Sequence, residues 1–170
     1  MREGKVGRSR REPDVIGWRE IVALPELGVT GMRAKIDTGA RTSAIHADQQ
    51  EVFERETRRW VRFRVPGSRY HRDMRIEAPI FDERLIKNTS GIPEQRLVIE
   101  TLLVLGRHRW HVEVSLANRE NMGLDMILGR TAIRNRRVLV NPGKSFLAGK
   151  PVELKQPSDR LRSAVLVPVE

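Results

Sequence analysis

With 170 residues, 39% of them hydrophobic, the chain has material for one domain with a modest core and loose ends. It contains no cysteine, which excludes disulfides, thiolate metal sites and thiol nucleophiles, and no run approaches the roughly 18 apolar residues of a membrane helix. The formal charge of +10 favours acidic partners, and an N-terminus that lacks an apolar signal core fits a cytoplasmic protein.

Residues 1–14 read as a basic, disordered arm, rich in arginine and poor in apolar side chains. The folded domain is expected over 15–150. Residues 16–24 read as a strand and 25–28 as the turn after it. In the next strand Ala34 and Ile36 alternate with Arg33 and Lys35, the pattern of one buried face. That strand runs into Asp37-Thr38-Gly39. Glycine permits a sharp turn there, which leaves a carboxylate at the end of a rigid element, a placement suited to acid–base chemistry.

Residues 44–47 continue as a short strand, and 51–56 with 60–65 read as a hairpin around Thr57-Arg58. Residues 72–78 and 84–87 are strand-like, separated by Pro79 and an expected turn at Asp82-Glu83. Residues 87–93 form a turn-rich tip between two extended arms, the second being 96–105. Gly106 turns the chain into 110–116. Residues 125–129 make a short apolar strand, 130–135 one or two helical turns and 138–142 a last strand. Residues 151–170 read as a proline-containing tail in which 164–167 has the character of an edge strand. Many short strands with close turns make an all-β barrel or sandwich the expected class.

The order of a strand ending in Asp37-Thr38-Gly39-Ala40, a hairpin with a glycine-bearing tip, and Met126-Ile127-Leu128-Gly129-Arg130 leading into a short helix resembles a retropepsin, the homodimeric aspartic protease fold. The stretch Ala34-Lys-Ile-Asp-Thr-Gly-Ala-Arg-Thr-Ser-Ala-Ile-His-Ala47 resembles, more narrowly, a bacterial retropepsin-like family that includes RimB. Gly17-Trp-Arg-Glu20, Leu24-Pro-Glu-Leu-Gly28 and Ile127-Leu-Gly-Arg130 support it. The family carries the label ATP-dependent zinc protease, and its members are associated with RimK-type ATP-grasp ligases, which add glutamate tails to a small-subunit ribosomal protein.

The resemblance implies a closed all-β barrel with one short C-terminal helix, acting as a homodimer. An aspartic protease needs two carboxylates sharing one proton across a water molecule. The chain has one Asp-Thr-Gly, so a two-fold dimer would supply the second. On this resemblance Asp37, Thr38 and Gly39 are catalytic, with Thr38 bonding across the axis. Asn88, Ser90 and Gly91 belong to a flap tip that closes over an extended peptide, and Ala40 and Thr42 line the substrate cleft.

Two positions depart from the retropepsin pattern. Arg41 stands where an acidic residue is usual, and Lys35 where an apolar one is usual. Strand alternation puts Lys35 on the Asp37 face, so both cations are expected to read glutamate side chains. The implied function is an aspartic peptidase on glutamate-rich peptides, such as tails made by a RimK-type ligase on a ribosomal protein, with that ligase as functional partner. The alternatives are a non-catalytic module whose basic cleft binds acidic tails or the ribosome, and an RNA-binding β-barrel. Four Phe and one Tyr supply little base stacking, so nucleic acid is the less expected partner.

No metal or cofactor is expected. There is no His-Glu-x-x-His, and His108 and His111, three apart on a predicted strand, face opposite ways. His46 and His71 are isolated, and no Walker-type glycine loop is present, so ATP belongs with the ligase.

Overall fold

The computed structural model describes residues 11–118, 123 and 125–153, and the backbone of 165–167. The expected basic arm lies largely outside the described residues, as does much of the expected tail. Alternating apolar and polar residues build β1 (Asp14–Gly17), β2 (Arg19–Leu24), β3 (Val29–Asp37), β4 (Ser43–His46), β5 (Asp48–Arg55) and β6 (Arg58–Val65). They are followed by β7 (Met74–Pro79), β8 (Asp82–Lys87), β9 (Pro93–Leu105), β10 (His108–Ala117), β11 (Met126–Gly129), β12 (Val138–Asn141) and β13 (Val165–Val167). One short α-helix among the described residues, α1 (Arg130–Ile133), follows β11. The described chain is therefore mostly β.

Seven strands form one sheet in the order β10-β4-β11-β3-β2-β9-β8. The second half of β9 also pairs with β10, so the pairings run from β10 through β4, β11, β3, β2 and β9 and return to β10. Its first half pairs with β8 as an antiparallel hairpin. A four-stranded sheet, β13-β7-β6-β5, and a parallel pair, β1-β12, complete the fold. Met32, Ala34 and Ile36 of β3 pack in one core with Phe63 of β6, Ile76 of β7, Val114 of β10 and Leu128 of β11. On β3 this leaves Lys35 exposed and Arg33 half-buried, the predicted alternation.

Two local expectations are corrected. Residues 16–24 are not one strand. Trp18 interrupts them, because its N–H donates to Lys144 O and its carbonyl accepts Ile36 N–H, so β1 runs beside β12 and β2 beside β3. The turn expected over 25–28 is present as a 3-10 turn, closed by the Gly28 N–H donating to Pro25 O. The turn expected at Asp82-Glu83 falls instead at Ile80-Phe81. Pro79 ends β7 opposite Trp60, while Asp82 and Glu83 pair with Val98 and Leu97 inside β8.

The outer face of the four-stranded sheet is a ladder of ion pairs. Glu77, buried, accepts from both Arg55 and Arg62, and Asp73 accepts from Arg64 at 2.6 Å. Burial pushes the Glu77 carboxyl up, but the two guanidinium bonds outweigh it and hold it below its ordinary value of 4.5. The bond from Arg64 likewise lowers Asp73. Groups whose folded pKa is depressed contribute stability above their unfolded pKa and lose it as pH falls through the folded one. The melting temperature is therefore expected to hold near neutrality and to drop below about pH 4.5. Glu77→Gln should melt lower at neutral pH with a shallower acid decline, which thermal scans of both proteins across pH would check.

Candidate active site

β3 carries Asp37 to its end, where its Cα is in parallel register with Gly129 of β11. β11 also pairs antiparallel with β4 through Met126–Ile45 and Ile127–Ala44. It thus lies between the strand that enters the 38–42 loop and the strand that leaves it. Asp37 is half-buried, and its Oδ1 accepts the N–H groups of Gly39 at 3.1 Å and Ala40 at 3.0 Å. Oδ2 makes no hydrogen bond among the described residues. The turn is therefore locked by the carboxylate itself, as in an Asx turn. Gly39 turns the chain without a positive φ; what its position restricts is space, since a Cβ would lie 3.3 Å from Asp37 Oδ1.

The far side of the loop is tied to α1. Arg130 N–H donates to Ala40 O at 2.8 Å, Arg130 Nη1 to Gly39 O at 2.9 Å and Thr131 Oγ1 to Arg41 O at 2.7 Å. Gly129 N–H donates to Ser43 Oγ at 3.0 Å. A Cβ on Gly129 would lie 2.7 Å from Thr42 C and 2.9 Å from Arg41 O, so the crossing of β11 under the loop admits no side chain. This close approach explains why Leu128-Gly129-Arg130 accompanies Asp37-Thr38-Gly39. Thr38, Gly39 and Arg41 form an exposed rim, with Ala40 and Thr42 partly covered.

At the β8–β9 tip the Asn88 Oδ1 accepts the N–H groups of Ser90 at 2.9 Å and Ile92 at 3.0 Å, and its Nδ2 donates to Glu94. Gly91 takes a φ of +75°, where glycine is favoured. The Asn88 side chain is thus engaged in shaping the tip, while Ser90 and Gly91 are exposed.

A cleft of about 750 Å³ opens between the loop flank, the β8 arm, β10 and the turn after α1. Arg41, Thr42, Arg84, Glu113, Arg134 and Arg136 contribute to its wall. Asp37, Lys35, Asn88, Ser90 and Gly91 do not; of the residues expected to bind substrate, the structure brings only Arg41 and Thr42 to it. Arg84 donates to Glu113 and to Asp82, each at 2.6 Å, and the Glu113 bond raises the guanidinium pKa. Arg136 stacks 5.0 Å from the Trp110 ring, whose Nε1 donates to Ala132 O at 2.7 Å. Arg134 and Arg136 were missed in the sequence, where 130–135 read only as helical turns. The cationic run Arg134-Asn-Arg-Arg137 so soon after Gly129-Arg130 was the available signal.

The histidines do not fit a shared zinc ion. His108 Nε2 lies 2.7 Å from Asp14 and His111 Nε2 3.0 Å from Glu26, carboxylates on different parts of the chain. Among the described residues no group of three His, Asp or Glu is placed to hold a metal. Among them, too, no helix is long and apolar enough to cross a membrane.

Comparison with known proteins agrees with this geometry. A protein named "Probable alpha-L-glutamate ligase" from Shewanella halifaxensis is 42% identical over 84% of the chain, and one of the same name from Desulfotalea psychrophila is 42% identical over 80%. The matches cover 32% and 30% of those proteins, so the chain spans about a third of the length of these relatives. A crystal structure of a Legionella pneumophila protein of unknown function matches 79% of this chain and 98% of its own, with a TM-score of 0.66 at 26% identity. The family model described as "Retropepsin-like aspartic endopeptidase RimB" matches residues 15–151, a span that takes in the Asp37 loop, the β8–β9 hairpin and the Gly129 crossing together. The chain belongs to the RimB-like family.

Proposed function

We propose that this chain is an aspartic peptidase that works as a homodimer on glutamate-rich peptides, including polyglutamate tails made on a ribosomal protein by a RimK-type ligase in the cytoplasm. The observation that carries this reading is the Asp37 loop, a carboxylate fixed through Oδ1, with Oδ2 left open at an exposed rim. The return of the strand pairings to β10 and the helix after Gly129 support a closed retropepsin-like barrel around it. One Asp-Thr-Gly per chain calls for a second protomer. A surface suited to it is the β1–β12 pair, where Val15 and Leu139 stand in register and are 47% and 57% exposed.

In the dimer, a water held between two Asp37 carboxylates loses a proton to one of them as it attacks the peptide carbonyl, and the other protonates the departing amine. Thr38 bonds across the axis, Gly39 admits the substrate backbone, and the Asn88–Gly91 tip, with Ser90, closes over it. The relatives are named ligases, but this chain matches only about a third of their length, so the ligase activity is not carried over to it.

Lys35 and Arg41, with Ala40 and Thr42 beside them, read the substrate side chains. A charge-assisted contact is worth roughly 1.5–3 kcal/mol, or about one to two decades in kcat/KM per lost partner. Lys35→Leu or Arg41→Ala should therefore cost a glutamate peptide far more than its glutamine isostere, with the loss softened at high salt. Equal losses on both peptides would withdraw the specificity assignment. The second reading, a non-catalytic binder of acidic tails, is favoured by one fact: the cationic cleft is complete in a single chain. Binding of oligoglutamate by a protein that never cuts it would select that reading.

A further inference from the structure

We infer that the cleft beside the Asp37 loop is a distal anion subsite, in which Arg134 and Arg136 hold glutamate carboxylates of the substrate away from the bond that is cut. The inference rests on the peptidase reading for its substrate, and it adds a dependence on the length of the acidic tail.

Three observations converge. The turn bearing Arg134 and Arg136 is anchored to the Asp37 loop through α1, because Arg130 N–H and Thr131 Oγ1 bond Ala40 O and Arg41 O, while Arg134 N–H closes the turn on Arg130 O at 2.8 Å. The cations and the carboxylate therefore share one rigid frame, as register along an extended peptide requires. The cleft wall has an excess of positive charge. Arg41, Arg84, Arg134 and Arg136 stand against Glu100 and Glu113, and Glu113 is already matched by Arg84. Among the described residues Arg41, Arg134 and Arg136 have no carboxylate partner. Trp110 holds the Arg136 guanidinium by its face, so less freedom remains to be lost when an anion binds.

The occupant is a peptide rather than a nucleic acid. A volume of about 750 Å³ admits several side chains, and among the described residues no Phe, Tyr or Trp lines the wall for a base to stack on, while the His111 ring there is held by Glu26 at 3.0 Å. Guanidinium groups bind carboxylates in forked pairs, and glutamates along a tail repeat at the spacing of the chain itself. A tail long enough to reach from Asp37 past Arg41 gains these contacts. A short one does not.

The test measures binding and cleavage separately. The full chain carrying Asp37→Asn is titrated with fluorescent octa-α-glutamate, octa-glutamine and a single-stranded RNA of similar charge. Arg134→Ala and Arg136→Ala are each expected to raise the octa-glutamate Kd about tenfold, with Arg134→Lys recovering part of it, as one charge-assisted contact would. In the protein that keeps Asp37, the same substitutions should raise KM for octa-glutamate with kcat unchanged and leave tri-glutamate unaffected. Unaltered melting temperatures separate these results from unfolding. An unchanged Kd, an equal loss on octa-glutamine, or tighter binding of the RNA than of the peptide would overturn the inference. Arginine-dependent binding in a protein that cuts nothing would uphold the subsite and remove the peptidase reading instead.

Discussion

Asp37→Asn is expected to reduce peptide cleavage to background while leaving the fold and its melting temperature nearly unchanged. The side chain is isosteric, and its Oδ1 still accepts from Gly39 and Ala40 N–H, so the loop keeps its shape. What it loses is the proton site. General acid–base groups contribute about 10²–10⁴-fold each, and a symmetric dimer loses both at once, so no residual turnover should be measurable. Mixing wild-type and Asp37→Asn protomers should also lower activity below the simple average, because each mixed pair lacks one carboxylate. Kinetics on the mixtures, with calorimetry on the pure variant, check the result.

The second large effect concerns stability and lies at a distance from Asp37. Glu20 is fully buried on β2, and its Oε1 accepts three N–H groups, from Gly17 at 2.6 Å, Leu147 at 2.9 Å and Ala148 at 3.1 Å. One oxygen thus joins the end of β1 to the segment after β12. Glu20→Ala removes the acceptor and leaves these donors unpaired. At about 1–3 kcal/mol for each buried donor left unsatisfied, and with Leu147 and Ala148 near enough to the surface to find water, the loss should be about 3 kcal/mol. For a chain of this size that lowers the melting temperature by about 10 °C. Glu20→Gln keeps a carbonyl oxygen in place and should lose clearly less. An alanine variant that melts with the wild type would show that the 144–148 segment is held by other contacts.

Much of the fold was legible because its strands bury one face each. Ala34 and Ile36 against Lys35, or Val61, Phe63 and Val65 against Arg62 and Arg64, mark an inward and an outward side without further information. The β8–β9 hairpin was legible through its tip residues. The break at Trp18 was not, since the apolar run continues across it and only pairing with Lys144 and Ile36, distant in sequence, divides it. The parallel pairings of β3 with β11 and of β1 with β12 were likewise hidden, because nothing local specifies which strand lies beside another.

At the site, Asp37 and Gly129 were visible as motifs, yet the reason they belong together, a backbone approach too close for any side chain, lies in a contact between segments distant in sequence. Arg134 and Arg136 were hidden for the same cause. Their turn reaches the Asp37 loop through Arg130 and Thr131, which bond Ala40 O and Arg41 O.

Cleavage by a dimer is tested most directly by mass spectrometry of octa-α-glutamate incubated with the purified chain over a range of protein concentrations, with light scattering on the same samples. The dimeric peptidase proposed here yields shorter oligoglutamates as products, leaves octa-glutamine uncut, and shows a rate per chain that rises as monomers become dimers. Intact octa-glutamate at concentrations where the protein is dimeric, or full cleavage by a monomer, would contradict it.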